Sequence, residues 1–182
     1  MRPGGLSTRS GGQRRIAYGA DHPMTDCQIA LAHPNDAPRL AAMSRRLVEA
    51  GLEPCWTAGR IERHVRHADS VVLVARAAGS IAGCAIMQFG DDAAHLNLLA
   101  VEPAWRRRGI GRRLLAWLED TARVAGTFTI RLELRASNEA GRAFYAALGY
   151  REVGAVRGYY QGIEDALRMA RDLAVSAAPA AR

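Results

Sequence analysis

Two stretches of this 182-residue sequence hold the side chains best suited to chemistry. The first is Trp105-Arg-Arg-Arg-Gly-Ile-Gly-Arg-Arg113. Glycines at a helix start let backbone amides approach a ligand with no Cβ in the way, and the free N–H groups of a first helical turn attract anions. With Arg106, Arg107, Arg108 and Arg112 beside Gly109 and Gly111, the expected guest is a phosphate. A Rossmann turn fits less well, because its third glycine would fall at Leu114. The second stretch is Arg131-Leu-Glu-Leu-Arg-Ala-Ser-Asn138, where leucine alternates with charge and Glu133 points away from Leu132 and Leu134. Taken alone, Glu133 reads first as a surface glutamate in a charge ladder.

To be useful, these side chains need a strand running into the glycine turn, a helix leaving it and a second strand alongside. Ala93–Val101 is apolar and is stopped by Pro103, and a helix is expected over 109–125. Upstream, Cys27–Ala32 reads as a strand, Pro34–Pro38 as a turn that Asn35 or Asp36 can cap, and Arg39–Ala50 as a helix ended by Gly51. Thr57 opens a second helix through about Arg66, and Val71–Ala75 with Ile81–Gln88 form a hairpin about Gly79. Downstream, Phe128–Arg135 is a strand, Asn138–Leu148 a helix stopped at Gly149, and Tyr150–Val156 and Asp165–Leu173 are strands with Tyr159 and Tyr160 in the loop between them. The order β α α β β β α β α β β gives an α/β fold, a mixed central sheet with helices on both faces.

Arg106-x-x-Gly109-x-Gly111 after a strand ending Leu-Ala-Val-Glu-Pro103 resembles the acetyl-coenzyme A signature of the GNAT acyltransferase superfamily. The resemblance spans about Cys27–Leu173. It implies the GNAT fold, acetyl-coenzyme A as cosubstrate, backbone groups of Leu99, Ala100 and Val101 binding pantetheine, and Arg106–Arg112, including Ile110, wrapping the pyrophosphate. Asn138, a helix cap on its own reading, matches a coenzyme-contacting position. Leu-Glu-Leu-Arg-Ala-Ser-Asn138 with Ala143-Phe-Tyr-Ala-Ala-Leu-Gly-Tyr150 is similar to the bacterial RimI type, N-terminal acetyltransferases in which the residues matching Glu133 and Tyr145 are base and acid. Tyr145 otherwise reads as a packed aromatic. Arg106 and Arg108 depart from that type, which commonly has glutamine there.

The run Tyr159-Tyr-Gln-Gly-Ile-Glu-Asp-Ala-Leu-Arg-Met169 is similar to N-terminal acetyltransferases generally, where the tyrosines border the peptide groove. By the same likeness Trp56, in the Gly51–Thr57 connection, belongs to the groove's other wall. His95 is expected to share a face with Asn97 and Leu99; it reads as a hydrogen-bonded core histidine or, by resemblance, as a second catalytic side chain at the acceptor. Glu164 and Asp165 read as structural. The acceptor implied is a protein or peptide N-terminus. The alternatives are a small-molecule amine and, from another class, a coenzyme-binding module without turnover.

Composition sets the remaining bounds. With 49% hydrophobic residues the chain can bury one core, expected over 24–173, between a disordered extension at 1–23 and a flexible tail at 174–182; Met24 is an alternative start. The formal charge is +7, but Arg2, Arg9, Arg14 and Arg15 crowd the extension against Asp21 alone, so the body is mildly basic and nucleic acid is not implied. All 25 basic residues are arginine, which points to coding bias. Cys27, Cys55 and Cys84 are scattered, so neither a disulfide framework nor a metal site is expected, and a reducing cytoplasm fits. No stretch approaches the ~20 apolar residues of a membrane span. A monomer or homodimer is expected.

Overall fold

Alternating apolar residues build seven strands and 3.6-residue periodicity builds four helices in a computed structural model that describes residues 27–174. In order they are β1 (Gln28–Leu31), α1 (Ala37–Leu47), α2 (Ala58–Arg66), β2 (Ser70–Ala77), β3 (Ser80–Phe89), β4 (Ala94–Val101), α3 (Ile110–Val124), β5 (Thr129–Arg135), α4 (Glu139–Ala146), β6 (Arg151–Tyr160) and β7 (Glu164–Asp172). The extension over 1–23, the alternative start at Met24 and the tail from residue 175 lie outside the described residues. One sheet has the order β1-β2-β3-β4-β5-β7-β6. Its neighbours run antiparallel except β4 and β5, which are parallel.

The sheet separates two apolar clusters. Leu73, Met87, Leu96, Leu132 and Met169 pack with Ile110, Leu114, Leu115 and Leu118 of α3 and Tyr145 of α4. On the other face Val72, Val74, Ile86 and Leu98 pack with Leu40 and Met43 of α1 and Ile61 of α2. Buried Ile110, Leu114, Leu118 and Ala122 form one stripe along α3, which fixes the start of that helix beside the end of β4.

Two irregularities shape the site. In the β3–β4 ladder Met87 pairs with Leu96 and Ile86 with Leu98, so Asn97 is an extra residue. The side-chain alternation consequently changes phase there: Ala94 and Leu96 face α3, whereas Leu98 and Ala100 face α1 and α2. This corrects the expectation that His95 and Leu99 share a face, since Leu99 packs toward α3. The second irregularity is that β4 and β5 pair only at Ala94↔Ile130 and His95↔Arg131 and then part.

The expected loop at Tyr159 and Tyr160 is also corrected, because β6 continues through Tyr160. Its register slips at Glu152/Gly154 and again at Val156/Tyr160, so Gly154 and Gly158 are absorbed as irregularities inside one longer strand. The expected side-chain cap of the first helix by Asn35 or Asp36 is corrected: Asp36 is the residue before α1, but its side chain makes no capping hydrogen bond to that helix and instead closes the 3-10 turn that precedes it. Its carboxylate accepts from the His33 N–H at 2.8 Å and from Arg76 at 2.7 Å.

Candidate active site

Where β4 leaves β5, backbone groups on the β5-facing side of β4 lose their ladder partners, and side chains from several strands converge. Glu133 lies on the face of β5 opposite buried Leu132 and Leu134. Its Oε2 is 2.9 Å from His95 Nε2, and its Oε1 accepts from Arg168 Nε at 3.3 Å. Arg168 faces Glu133 directly in the β5–β7 register. The His95 hydrogen bond, which outweighs burial, together with the Arg168 charge holds the Glu133 carboxyl below its usual range. Burial and then the Glu133 charge push the Tyr159 phenol up, so the end of β6 belongs to the same group.

Tyr145, on α4, belongs to the other layer. Its ring is buried between Phe144 and Tyr150, with centroids at 5.1 and 5.5 Å in edge-to-face arrangements. Burial, then the neighbouring Tyr160, raise its phenol well above the ordinary value, so it is held as a protonated donor.

The α1–α2 connection is one wall, and a buried glutamate holds it. Glu49 Oε1 accepts from the N–H groups of Cys55 at 2.6 Å and Trp56 at 3.0 Å, and its Oε2 from Ser44 Oγ at 3.1 Å. Burial would raise this carboxyl, but those donors, the Cys55 thiol foremost, outweigh it and hold it low. From the opposite wall, the Gln161 amide accepts from the Glu53 N–H at 2.9 Å and donates to the Glu53 carbonyl at 2.8 Å, and Arg135 Nη2 donates to the Ala50 carbonyl at 2.8 Å. Trp56 corrects the sequence expectation: at 7% exposure its ring is core, lying under Arg60 at 4.1 Å and beside His64, so it braces the wall without presenting its face to a ligand. Tyr160 is half-buried with Arg135 over its ring at 5.7 Å. Glu164 accepts from the N–H and hydroxyl of Ser137 and Asp165 from the Gly158 N–H, both structural as read.

The glycine turn at which the sequence predicts phosphate binding also forms. Gly109 takes φ +76 as the residue before α3, where a Cβ is disfavoured, and no side chain caps this 15-residue helix. A Cβ on Gly111 would stand 3.4 Å from Phe144 and 3.7 Å from Val101. Arg107, Gly109 and Arg112 are exposed; Ile110 is core, leaving only its backbone for a ligand. The three arginines are not equivalent: Arg106 Nε donates to the Val101 carbonyl at 3.1 Å, and Arg108 lies over Trp105 at 4.9 Å. Leu99 and Val101 are half-buried and Ala100 is buried on the parted strand. Asn138 caps α4 through the Gly141 N–H at 2.9 Å, and it is exposed. Asn97 Nδ2 is buried with no protein partner, at the bulge where the strands part. An extended ligand with carbonyls for a free strand edge and phosphates for a helix start fits these groups.

A family model described as an acetyltransferase (GNAT) domain matches residues 68–152. The N-alpha-acetyltransferase RimI of Mycobacterium tuberculosis is 34% identical over 142 residues, covering 75% of this chain and 87% of that protein. The chain belongs to the GNAT acetyltransferase family. Among other members, the ribosomal protein bS18-alanine N-acetyltransferase of Salmonella typhimurium is 46% identical over 93 residues, 50% of this chain. That match spans 63% of the Salmonella protein's length. The crystal structure of the ribosomal-protein-S18-alanine N-acetyltransferase from Escherichia coli superposes with a TM-score of 0.71 at 31% identity, covering 86% of this chain and 99% of that one. The seven-strand sheet, parted at β4 and β5 and covered by helices on both faces, is thus a GNAT sheet.

Sequence reading missed Arg168, Asn97, Glu49 and Gln161. Arg168 could have been found only by pairing β7 with β5, and Asn97 only from the bulge. No helix among the described residues is long and apolar enough to cross a membrane.

Proposed function

We propose that the protein transfers the acetyl group of acetyl-coenzyme A to the N-terminal α-amine of a protein or peptide. The observation that carries this reading is the Glu133–His95 pair at the last rung of the β4–β5 ladder, on the face of α1 and α2, with Tyr145 in the layer of α3 and α4. Leu99–Val101 hold the pantetheine arm by their backbone, and the amides of Gly109–Arg112, with Arg107 and Arg112, hold the pyrophosphate; Asn138 flanks the arm. The coenzyme supplies an activated acetyl group, and the chain does the rest. Tyr159 and Tyr160 border the acceptor. The Glu133 side of the gap removes the amine's proton as nitrogen attacks, and Tyr145 protonates the departing sulfur, so no acyl-enzyme is needed.

An α-amine of pKa about 7.7–8.0 is roughly a tenth unprotonated at pH 7, whereas a lysine near 10.4 needs about 3.5 kcal/mol more to reach its free base. A site whose carboxylate is held ionised suits the easier nucleophile. Relatives named as N-terminal acetyltransferases support a protein acceptor over a small amine. The three free cysteines agree with a cytoplasmic setting.

The test is to incubate the protein with acetyl-coenzyme A and a panel of peptides, polyamines and aminoglycosides, and to follow released thiol. Peptides with free α-amines are expected to turn over well above the small amines; the reverse ranking refutes the acceptor, and absence of turnover on every amine refutes the activity.

A further inference from the structure

The face of the sheet that carries Glu133 is covered over only part of its width. Leu40, Met43 and Ile61 of α1 and α2 pack on β2, β3 and β4, and no residue of β5, β6 or β7 joins that cluster. Strand pairing shows what the uncovered part carries. Directly paired residues share a face, so one row across β5, β7 and β6 is Glu133, Arg168 and Gly154, and the next is Arg131, Ala170 and Arg151. The row between them lies on the opposite face: Leu132 and Met169 are core against α3, and Glu152 pairs with Arg142 of α4.

Arg131, Arg151 and Arg168 are all exposed. Arg168 shares Glu133 with His95, whereas Arg131 and Arg151 form no ion pair among the described residues. The only other carboxylate in these rows or the adjoining one is that of Asp172, which accepts from the Ala174 N–H at 2.8 Å. Ala170 and Gly154, lying between the arginines, leave room for a chain to approach the strands closely. On the other side of Glu133 the way is bridged. Gln161 holds Glu53 by two hydrogen bonds and Arg135 holds the Ala50 carbonyl, which ties the α1–α2 connection to β5 and to the turn after β6. A polypeptide whose amine lies at Glu133 is obstructed in that direction and has the uncovered strands in the other.

We propose that the uncovered face of β5, β7 and β6 receives the segment of the acceptor polypeptide that follows its α-amine, and that Arg131, Arg151 and Arg168 select a segment carrying aspartate or glutamate. The inference rests on the acetyltransferase reading above and adds to it the chemical class of the acceptor. Strands about 4.8 Å apart and rows about 7 Å apart put Arg168 and Arg131 one step from Glu133 and Arg151 about 12 Å away. An extended chain advances about 3.3 Å per residue, so the arginines face roughly the second to fifth residues of the acceptor. A guanidinium fork matches a carboxylate in two parallel hydrogen bonds, and two of these three forks are unengaged in the structure.

The experiment measures kcat/KM at low salt for peptides with a free α-amine and the same first residue, followed by glutamate, glutamine or arginine at positions two to five. Wild type should favour the glutamate peptide over the glutamine peptide about fivefold, mainly through KM, as two exposed ion pairs would give, and the preference should shrink as salt rises. Arg131→Glu with Arg151→Glu should remove that preference and favour the arginine peptide, with the glutamine peptide turned over as by wild type. Arg151→Glu alone, on the edge strand, should show a smaller change in the same direction and decides the matter should the double variant not fold. An acidic preference under twofold in wild type, or one that persists in the folded variants, overturns the proposal and leaves the acetyltransferase reading intact. Binding of a single-stranded oligonucleotide that the variants abolish, without any preference among the peptides, would assign the face to nucleic acid and overturn it as well. A wild-type protein that acetylates none of the peptides and no other amine removes the underlying reading instead.

Discussion

Glu133 and His95 stand 2.9 Å apart although their strands share only two rungs, His95 in the last of them. The pair therefore sits at the vertex of the opening, where the sheet is still held and ligands first gain access.

In the layer of α3 and α4, Tyr145→Phe should lower turnover about 100-fold, because it removes the proposed proton donor while keeping the ring that packs on Phe144 and Tyr150. Steady-state kinetics with calorimetric coenzyme affinity checks this. Undiminished turnover would make Tyr145 a packing residue only.

Glu49→Ala should raise the KM for peptide more than it lowers kcat. The substitution strips the acceptor from the N–H groups of Cys55 and Trp56, costing about 3 kcal/mol of stability and loosening one wall of the groove. Denaturant unfolding and peptide kinetics measure the two effects separately.

A methyl group on Gly83 would lie 2.9 Å from the Ala100 carbonyl, backbone against backbone. Gly83→Ala should therefore displace β4 at Ala100, the stretch proposed to hold the pantetheine arm, weakening coenzyme binding about tenfold and destabilising the fold by about 2 kcal/mol. Calorimetry would detect an unchanged affinity, which would mean that β4 does not grip the coenzyme.

Stability should fall in acid for a definite reason. Burial raises the carboxyls of Asp36 and Glu49, but Arg76 and the His33 N–H at one, and the donors of Ser44, Cys55 and Trp56 at the other, outweigh it and hold both below the ordinary carboxylate range. A depressed folded pKa stabilises above the unfolded value and is lost as pH falls through the folded one, so the thermal midpoint should decline from about pH 4.5 downward. Asp36→Asn should shallow that decline.

The glycine turn, the α3 stripe and the alternation around Glu133 are local patterns, which is why the order of elements and the turn before α3 could be read from the residues in sequence. What escaped the sequence depends on pairing. Nothing near Asn97 announces an extra residue, yet that bulge puts His95 and Leu99 on opposite faces. Arg168 reaches Glu133 only because β7 inserts between β5 and β6, and Gln161 reaches Glu53 across 108 positions. The likeness that put Trp56 in a groove concerns its segment, whereas its side chain packs in the core with Ile61 while its N–H is held by Glu49.

The most direct test of the central claim is a competition within one molecule: a peptide bearing both a free α-amine and an internal lysine, incubated with acetyl-coenzyme A at pH 7 and mapped by fragment-ion mass spectrometry. The acetyl group should appear on the N-terminal nitrogen first and almost exclusively. Acetylation confined to the lysine side chain would contradict the account.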